Sequence, residues 1–162
     1  MRALRPVFVL LVFVYGLAIR CRNLLYDWGV LLRHKVGVPV ISVGNVAVGG
    51  TGKTPLTAAI ANALRERKRT AILSRGYGGG AEKGEAPVEI SEGQGPLYPW
   101  AFCGDEPFLL ASNLPGVRLF AGRDRVKAAH MAVEKGAETL VLDDGMQHRR
   151  LARDLEIVLV DG

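Results

Sequence analysis

Residues Val38 to Pro55 read VPVISVGNVAVGGTGKTP, and the fold turns on how this stretch is taken. Val38, Val40, Ile41 and Val43 form an apolar, mostly β-branched run. Glycines 49, 50 and 52 follow, and Lys53-Thr54-Pro55 lead into Leu56, Ala59, Ile60, Ala63 and Leu64 at helical spacing. Strand, glycine-rich loop and helix in that order make a phosphate-binding loop. Gly49, Gly50 and Gly52 let backbone N–H groups curl around a polyphosphate in conformations that a Cβ would obstruct. Lys53 is placed to reach the outer phosphates and the Thr54 hydroxyl to ligate Mg²⁺, while the helix N-terminus adds partial positive charge. Ala47 stands where GxxxxGK[ST] has its first glycine. A chance GKT in a flexible turn is the plain alternative, and the strand before it and Pro55 at a helix start count against that.

Outward from this loop, strand and helix alternate. Strands are expected at Thr70–Leu73, Val117–Ala121, Thr139–Leu142 and Leu155–Val160, a weak one at Val88–Ile90, and a helix at Arg123–Lys135. The prediction is an α/β fold, a P-loop NTPase-like and mainly parallel sheet with helices on both faces. Residues Ala81 to Pro99, polar and rich in glycine and proline, read as a surface excursion. The chain stops at a strand end, which suggests that it is a piece of a longer protein.

Leu140-Val141-Leu142-Asp143-Asp144 is an apolar strand ending in acid, the form of a Walker B position that holds Mg²⁺. Ile157 to Asp161 has the same form and competes with it. Asp143 is preferred because Asp144, Gly145, Gln147 and His148 follow at once, and two adjacent carboxylates at a buried strand end call for a cation. Ser74-Arg75-Gly76-Tyr77-Gly78-Gly79-Gly80 follows another strand, where α/β sheets place ligand loops, although a flexible connector reads equally well. Gly104-Asp105-Glu106-Pro107 opens a helix, and ordinary capping accounts for both acids, with Pro107 at the first helical position.

The chain has a net charge of +5, and its location matters more than its size. Residues 1 to 35 hold six basic side chains against Asp27 alone, while the remainder carries 15 of each sign. A nucleic-acid binder shows its basic face on the body, so no nucleic-acid partner is expected. The apolar run Pro6 to Ile19 is flanked by Arg2, Arg5, Arg20 and Arg22 and is too short to span a bilayer readily. Leu24, Leu25, Trp28, Leu31 and Leu32 suggest a second, amphipathic helix lying in a membrane interface. Residues 1–35 are therefore read as a membrane-associating segment, with a hydrophobic hairpin packed on the protein's own body as the plain alternative, and 36–162 as the nucleotide-binding body. Cys21 and Cys103 lack metal-ligand spacing and read as free thiols.

GNVAVGGTGKTP, SRGYGG, GDEP and DDGMQH, in this order and after an N-terminal hydrophobic segment, resemble the tetraacyldisaccharide 4′-kinase family of lipid A biosynthesis. The likeness covers the N-terminal, nucleotide-binding half of such proteins; Ala47 and Met146 are small departures from the usual motifs. It implies transfer of the γ-phosphate of ATP to the 4′-hydroxyl of a tetraacylated disaccharide 1-phosphate at the cytoplasmic face of the inner membrane. It further implies that Gly49, Gly50, Thr51, Gly52, Lys53 and Thr54 hold phosphates, and that Glu106, Asp143 and Asp144 with Thr54 surround Mg²⁺. Asp105 becomes the general base, in a family where it works with a histidine from the other half. Arg75, Tyr77, Gln147 and His148 line the site, Lys53, Asp144 and His148 are counted with the catalytic groups, and Arg125 contacts phosphate. Two rivals are a membrane-bound switch ATPase of the partitioning type and a nucleotide-binding module without turnover. The former normally has a second lysine where this chain has Val48.

Overall fold

A computed structural model describes residues 4–45 and 52–160, with side chains from residue 13 onward. Expectations for Gly49, Gly50, Thr51 and Asp161 lie outside the described residues. The chain divides into two compact units, Met1–Arg33 and His34–Gly162.

Among its described residues the first unit holds one helix, α1 (Leu4–Asp27). The expected separate amphipathic helix over Leu24 to Leu32 is corrected: α1 runs without a break to Asp27 and then closes. The reason lies in Gly29, whose φ of +73° is left-handed. Its N–H donates to the Tyr26 carbonyl, and that of Val30 donates to the Leu25 carbonyl, a Schellman closure. Arg33 reinforces it with bonds to the Tyr26 carbonyl and the Asp27 carboxylate. Phe13, Tyr15, Trp28 and Leu32 are exposed. Among the described residues no helix is long and apolar enough to cross a membrane.

The second unit is a six-stranded sheet. Its strands are β1 (Val40–Asn45), β2 (Thr70–Ser74), β3 (Val88–Ser91), β4 (Arg118–Ala121), β5 (Thr139–Leu142) and β6 (Leu155–Leu159), in the order β3-β4-β2-β5-β1-β6. All pairs are parallel except β3 with β4. The residues alternate between two cores. Ala71, Leu73, Leu140 and Leu142 pack with Ala128, Ala129 and Ala132 of α6 (Arg125–Glu134). Ile72, Val141 and Val43 pack with Ala61 of α2 (Lys53–Arg65) and Leu110 and Ala111 of α5 (Asp105–Asn113). Period-two alternation thus sends successive side chains to opposite faces, each covered by helix, which is why the central strands read as continuous apolar runs.

The segment from Ala81 to Pro99 departs from the expected surface excursion. A single helical turn, α3 (Gly80–Lys83), precedes β3, which is built into the sheet edge with Ile90 fully buried. The weak strand expected at Val88–Ile90 is present and runs on to Ser91; Arg118 and Lys135 pair with its buried acid, Glu89. A short helix, α4 (Trp100–Cys103), also precedes α5. Pro107 is the third residue of α5 rather than the first, still within the turn whose N–H groups need no helical partner.

Candidate functional site

Parallel strands bring their C-terminal ends to one side of the sheet, and the order sets β5 between β2 and β1. Beyond β5 the ladder continues into the turn: Asp143 N–H donates to the Leu73 carbonyl, and Gly145 N–H to the Val43 carbonyl. The two bonds fasten the Asp143-Asp144-Gly145 turn to both neighbouring strands. A Cβ on Gly145 would come within 2.4 Å of Ser42 Oγ, so the turn sits directly on β1. Asp144 takes a φ of +53°, the only non-glycine residue above zero among those described. Strain of this kind persists where the surroundings over-determine it, and it concentrates at functional sites.

Here the structure gathers a cavity of about 450 Å³ lined by Lys53, Ser74, Arg75, Tyr77, Asp105, Glu106, Asp143, Asp144 and Gln147. Four sequence-distant motifs thus meet in one place. Lys53 Nζ donates to Asn45 Oδ1 at 2.9 Å and pairs with Asp144 Oδ1 at 3.2 Å, which ties the first residue of α2 to both β1 and the acidic turn. Asp143 is buried and accepts from Thr57 Oγ1 at 3.0 Å. Burial pushes its carboxyl up to about 6; the Thr57 hydrogen bond opposes this, and the charges of Glu106 and Asp144 add to it. Asp105 and Glu106 are exposed on the first turn of α5, whose N-cap is Gly104, and neither makes a side-chain hydrogen bond or ion pair among the described residues. Both acids nevertheless stand in the first turn, where negative charge favours the helix N-terminus.

Other candidates stand outside the lining. Gly52 caps α2 with a φ of +78°, and Thr54, the second residue of the helix, is half-buried. Arg125 is buried, donates to the Gly122 carbonyl and leaves its Nε without a partner. Burial, with the neighbouring Arg75 charge, brings its pKa down to about 10. His148 is partly buried with Nε2 unpartnered; burial and then Arg125 lower it to about 4, so the imidazole is neutral at pH 7.

Sequence reasoning passed over Asn45, Thr57 and Ser74. Asn45 lies within the quoted motif, and a polar residue ending an apolar strand was the available signal. Thr57 gave none, because one threonine on a helix face reads as packing.

Among the described residues no three of His, Cys, Asp and Glu stand close enough to hold a metal ion by themselves. The cavity offers oxygen donors with an incompletely neutralised buried carboxylate, which suits a hard cation whose remaining ligands are phosphate and water.

Residues 4–162 match the family model described as Tetraacyldisaccharide-1-P 4'-kinase. A tetraacyldisaccharide 4'-kinase of Anaeromyxobacter sp. (strain K) is 55% identical over 142 residues, covering 86% of this chain and 37% of that protein. That of Pelobacter propionicus is 48% identical over 162 residues, covering 99% of this chain and 44% of its own length. The crystal structure of LpxK from Aquifex aeolicus in complex with ATP superposes with a TM-score of 0.87 at 44% identity, covering 97% of this chain and 49% of that one. The chain thus spans less than half the length of these relatives. With the family model matched from residue 4 to the last residue and the fold shared at this level of identity, the chain belongs to the tetraacyldisaccharide-1-P 4′-kinase family.

Proposed function

We propose that this chain is the nucleotide-binding half of a kinase that moves the γ-phosphate of ATP to the 4′-hydroxyl of a tetraacylated disaccharide 1-phosphate. The observation that carries the reading is the convergence of Lys53, Asp105, Glu106, Asp143 and Asp144 on one cavity, from α2, α5 and the end of β5. Phosphoryl transfer asks for charge neutralisation and in-line positioning more than for covalent chemistry, and these side chains supply both signs of charge.

Lys53, held by Asn45 and Asp144, faces the outer phosphates. Asp143, Asp144 and Glu106, with Thr54 at the helix start, do not close a metal site by themselves; with phosphate and water completing the ligand set they would hold Mg²⁺, which when bound neutralises charge developing on the phosphoryl oxygens. Asp105, solvated at the cavity edge, takes the proton of the attacking sugar hydroxyl. Tyr77, Gln147 and Arg75 flank the acceptor and the nucleotide, and behind the lining Arg125 acts electrostatically on Arg75 and on the neutral His148. Residues 1–35, with their apolar run and basic flanks, keep the protein on the cytoplasmic face of the inner membrane, where an acylated acceptor resides.

The test incubates Mg²⁺, ATP and the tetraacyldisaccharide 1-phosphate with this chain and with a relative of full length. Transfer by the longer protein alone supports a half-enzyme. Transfer by neither removes the kinase reading, and the partitioning-type ATPase is already disfavoured by family membership.

A further inference from the structure

Arg75 follows the last residue of β2 and lines the cavity, yet its guanidinium is not free to wander. Its Nε lies 2.8 Å from Oε1 of Glu82, a residue of α3 that neither the phosphate loop nor the acidic motifs contain. Oε2 of the same carboxylate accepts from the Gly78 backbone N–H at 3.1 Å. Arg123, just past β4, brings its Nε to 4.0 Å of Oε1. Glu82 is 13% exposed, whereas Arg75 and Arg123 are 54% and 67% exposed, so the acid is the anchored partner and the two arginines are the ones it restrains.

The ground beneath Glu82 is stiff. A Cβ on Gly79 would lie 2.5 Å from the Gly104 nitrogen and 2.6 Å from the Phe102 carbonyl oxygen, so the start of α3 rests on the backbone that leads into Asp105. The Gly122 N–H donates to the Ser74 carbonyl and joins the two arginine-bearing loops at their bases. Among the described residues Arg75 makes no other hydrogen bond or ion pair, so the Nη1 and Nη2 hydrogens remain unspent at the cavity wall. A guanidinium pinned at Nε and open at its outer edge has the geometry of a bidentate phosphate contact.

We infer that Glu82 is a positioning residue, which fixes the Arg75 guanidinium toward the terminal phosphate of ATP in the cavity shared with Lys53. Glu82 touches no substrate itself; it removes the rotamer freedom that a half-exposed arginine would otherwise lose on binding. The role rests on the nucleotide reading proposed above. Its energetic signature is dependence on Arg75, since a carboxylate that merely shored up the loop would act whether or not the arginine were present.

The test is a double-mutant cycle on the whole 162-residue chain, with ATP and ADP titrated in the presence of Mg²⁺ by calorimetry. Glu82→Ala and Arg75→Ala should each weaken ATP roughly 5- to 30-fold and leave ADP within about twofold. The double variant should match Arg75→Ala within about twofold. Thermal midpoints of the apo variants are measured alongside, and if Glu82→Ala does not fold, Glu82→Gln takes its place in the cycle. Unchanged ATP affinity, equal losses for ATP and ADP, or losses that multiply in the double variant would each overturn the assignment. A wild-type chain that binds neither nucleotide would instead sink the nucleotide reading itself, so the two failures are told apart.

Discussion

Thr57 Oγ1 donates to Asp143 Oδ1 at 3.0 Å, and both side chains are buried at the point where α2 crosses the end of β5. The bond fixes one carboxylate oxygen and leaves the acid charged in a poorly solvated place, beside Glu106 and Asp144.

Asp143 therefore weakens the empty protein at neutral pH. Its folded pKa of about 6 lies above the ordinary 3.8, so the folded state holds the proton more tightly than the unfolded one. Stability on this account falls as pH rises from about 4 to 6 and stays reduced above that. Asp143→Asn keeps an acceptor for Thr57 and should raise apo stability at pH 7 by about 1–3 kcal/mol, with the gain vanishing below about pH 4. Denaturant unfolding at pH 3.5 and pH 7 measures it; a gain equal at both values would refute the charged-acid explanation.

His148 carries the opposite sign. Its imidazole is lowered to about 4 by burial and by Arg125, with Arg150 and Arg153 acting the same way and Asp124 opposing. Protonation favours the unfolded chain, so this contribution is full above about pH 6.5 and drains away as pH falls to about 4. An NMR titration should show the His148 ring neutral at pH 6, and a ring half-protonated there would contradict the burial argument.

The acidic turn should tolerate no added carbon. Gly145→Ala drives a Cβ toward Ser42 Oγ and to 2.8 Å from Leu142 Cβ and should cost about 1–3 kcal/mol. Gly37→Ala, with nothing within 4 Å of the new carbon, serves as the control and should stay within about 0.5 kcal/mol. Equal thermal midpoints for the two variants would show that the turn is not seated on β1 as described.

Much of this arrangement could be read in the chain. Leu140 to Leu142 and Ala71 to Leu73 announce buried parallel strands because both faces are covered, and the Lys53 and Asp143 motifs carry their own chemistry. What escaped was decided by tertiary context. The strand at Val88–Ile90 was legible but its place in the sheet edge was not, because Glu89 interrupts its apolar pattern and is neutralised only across the fold, by Arg118 and Lys135. Leu24 to Leu32 repeat at helical spacing, but Gly29 takes the left-handed conformation and ends α1 inside that repeat. Thr57 and Glu82 matter through partners 86 and seven residues away, and no local pattern marks either.

The first 35 residues should bring the chain to anionic membranes. With six basic groups and exposed Phe13, Tyr15, Trp28 and Leu32, it should sediment with phosphatidylglycerol vesicles, and less so as salt rises. Replacing Arg20 and Arg22 with glutamine should weaken vesicle binding roughly 30-fold, on the order of 1 kcal/mol per charge removed. Binding indifferent to both salt and charge would contradict an electrostatic contribution.

The central claim is that the cavity between α2, α5 and the β5 turn receives the phosphates of a magnesium nucleotide. A crystal of this chain grown with Mg²⁺ and a non-hydrolysable ATP analogue tests it most directly. The account predicts the terminal phosphate within hydrogen-bonding reach of Lys53 Nζ and the ion on the Asp143 side of the cavity. A nucleotide bound elsewhere, or a cavity left vacant at saturating analogue, would contradict it.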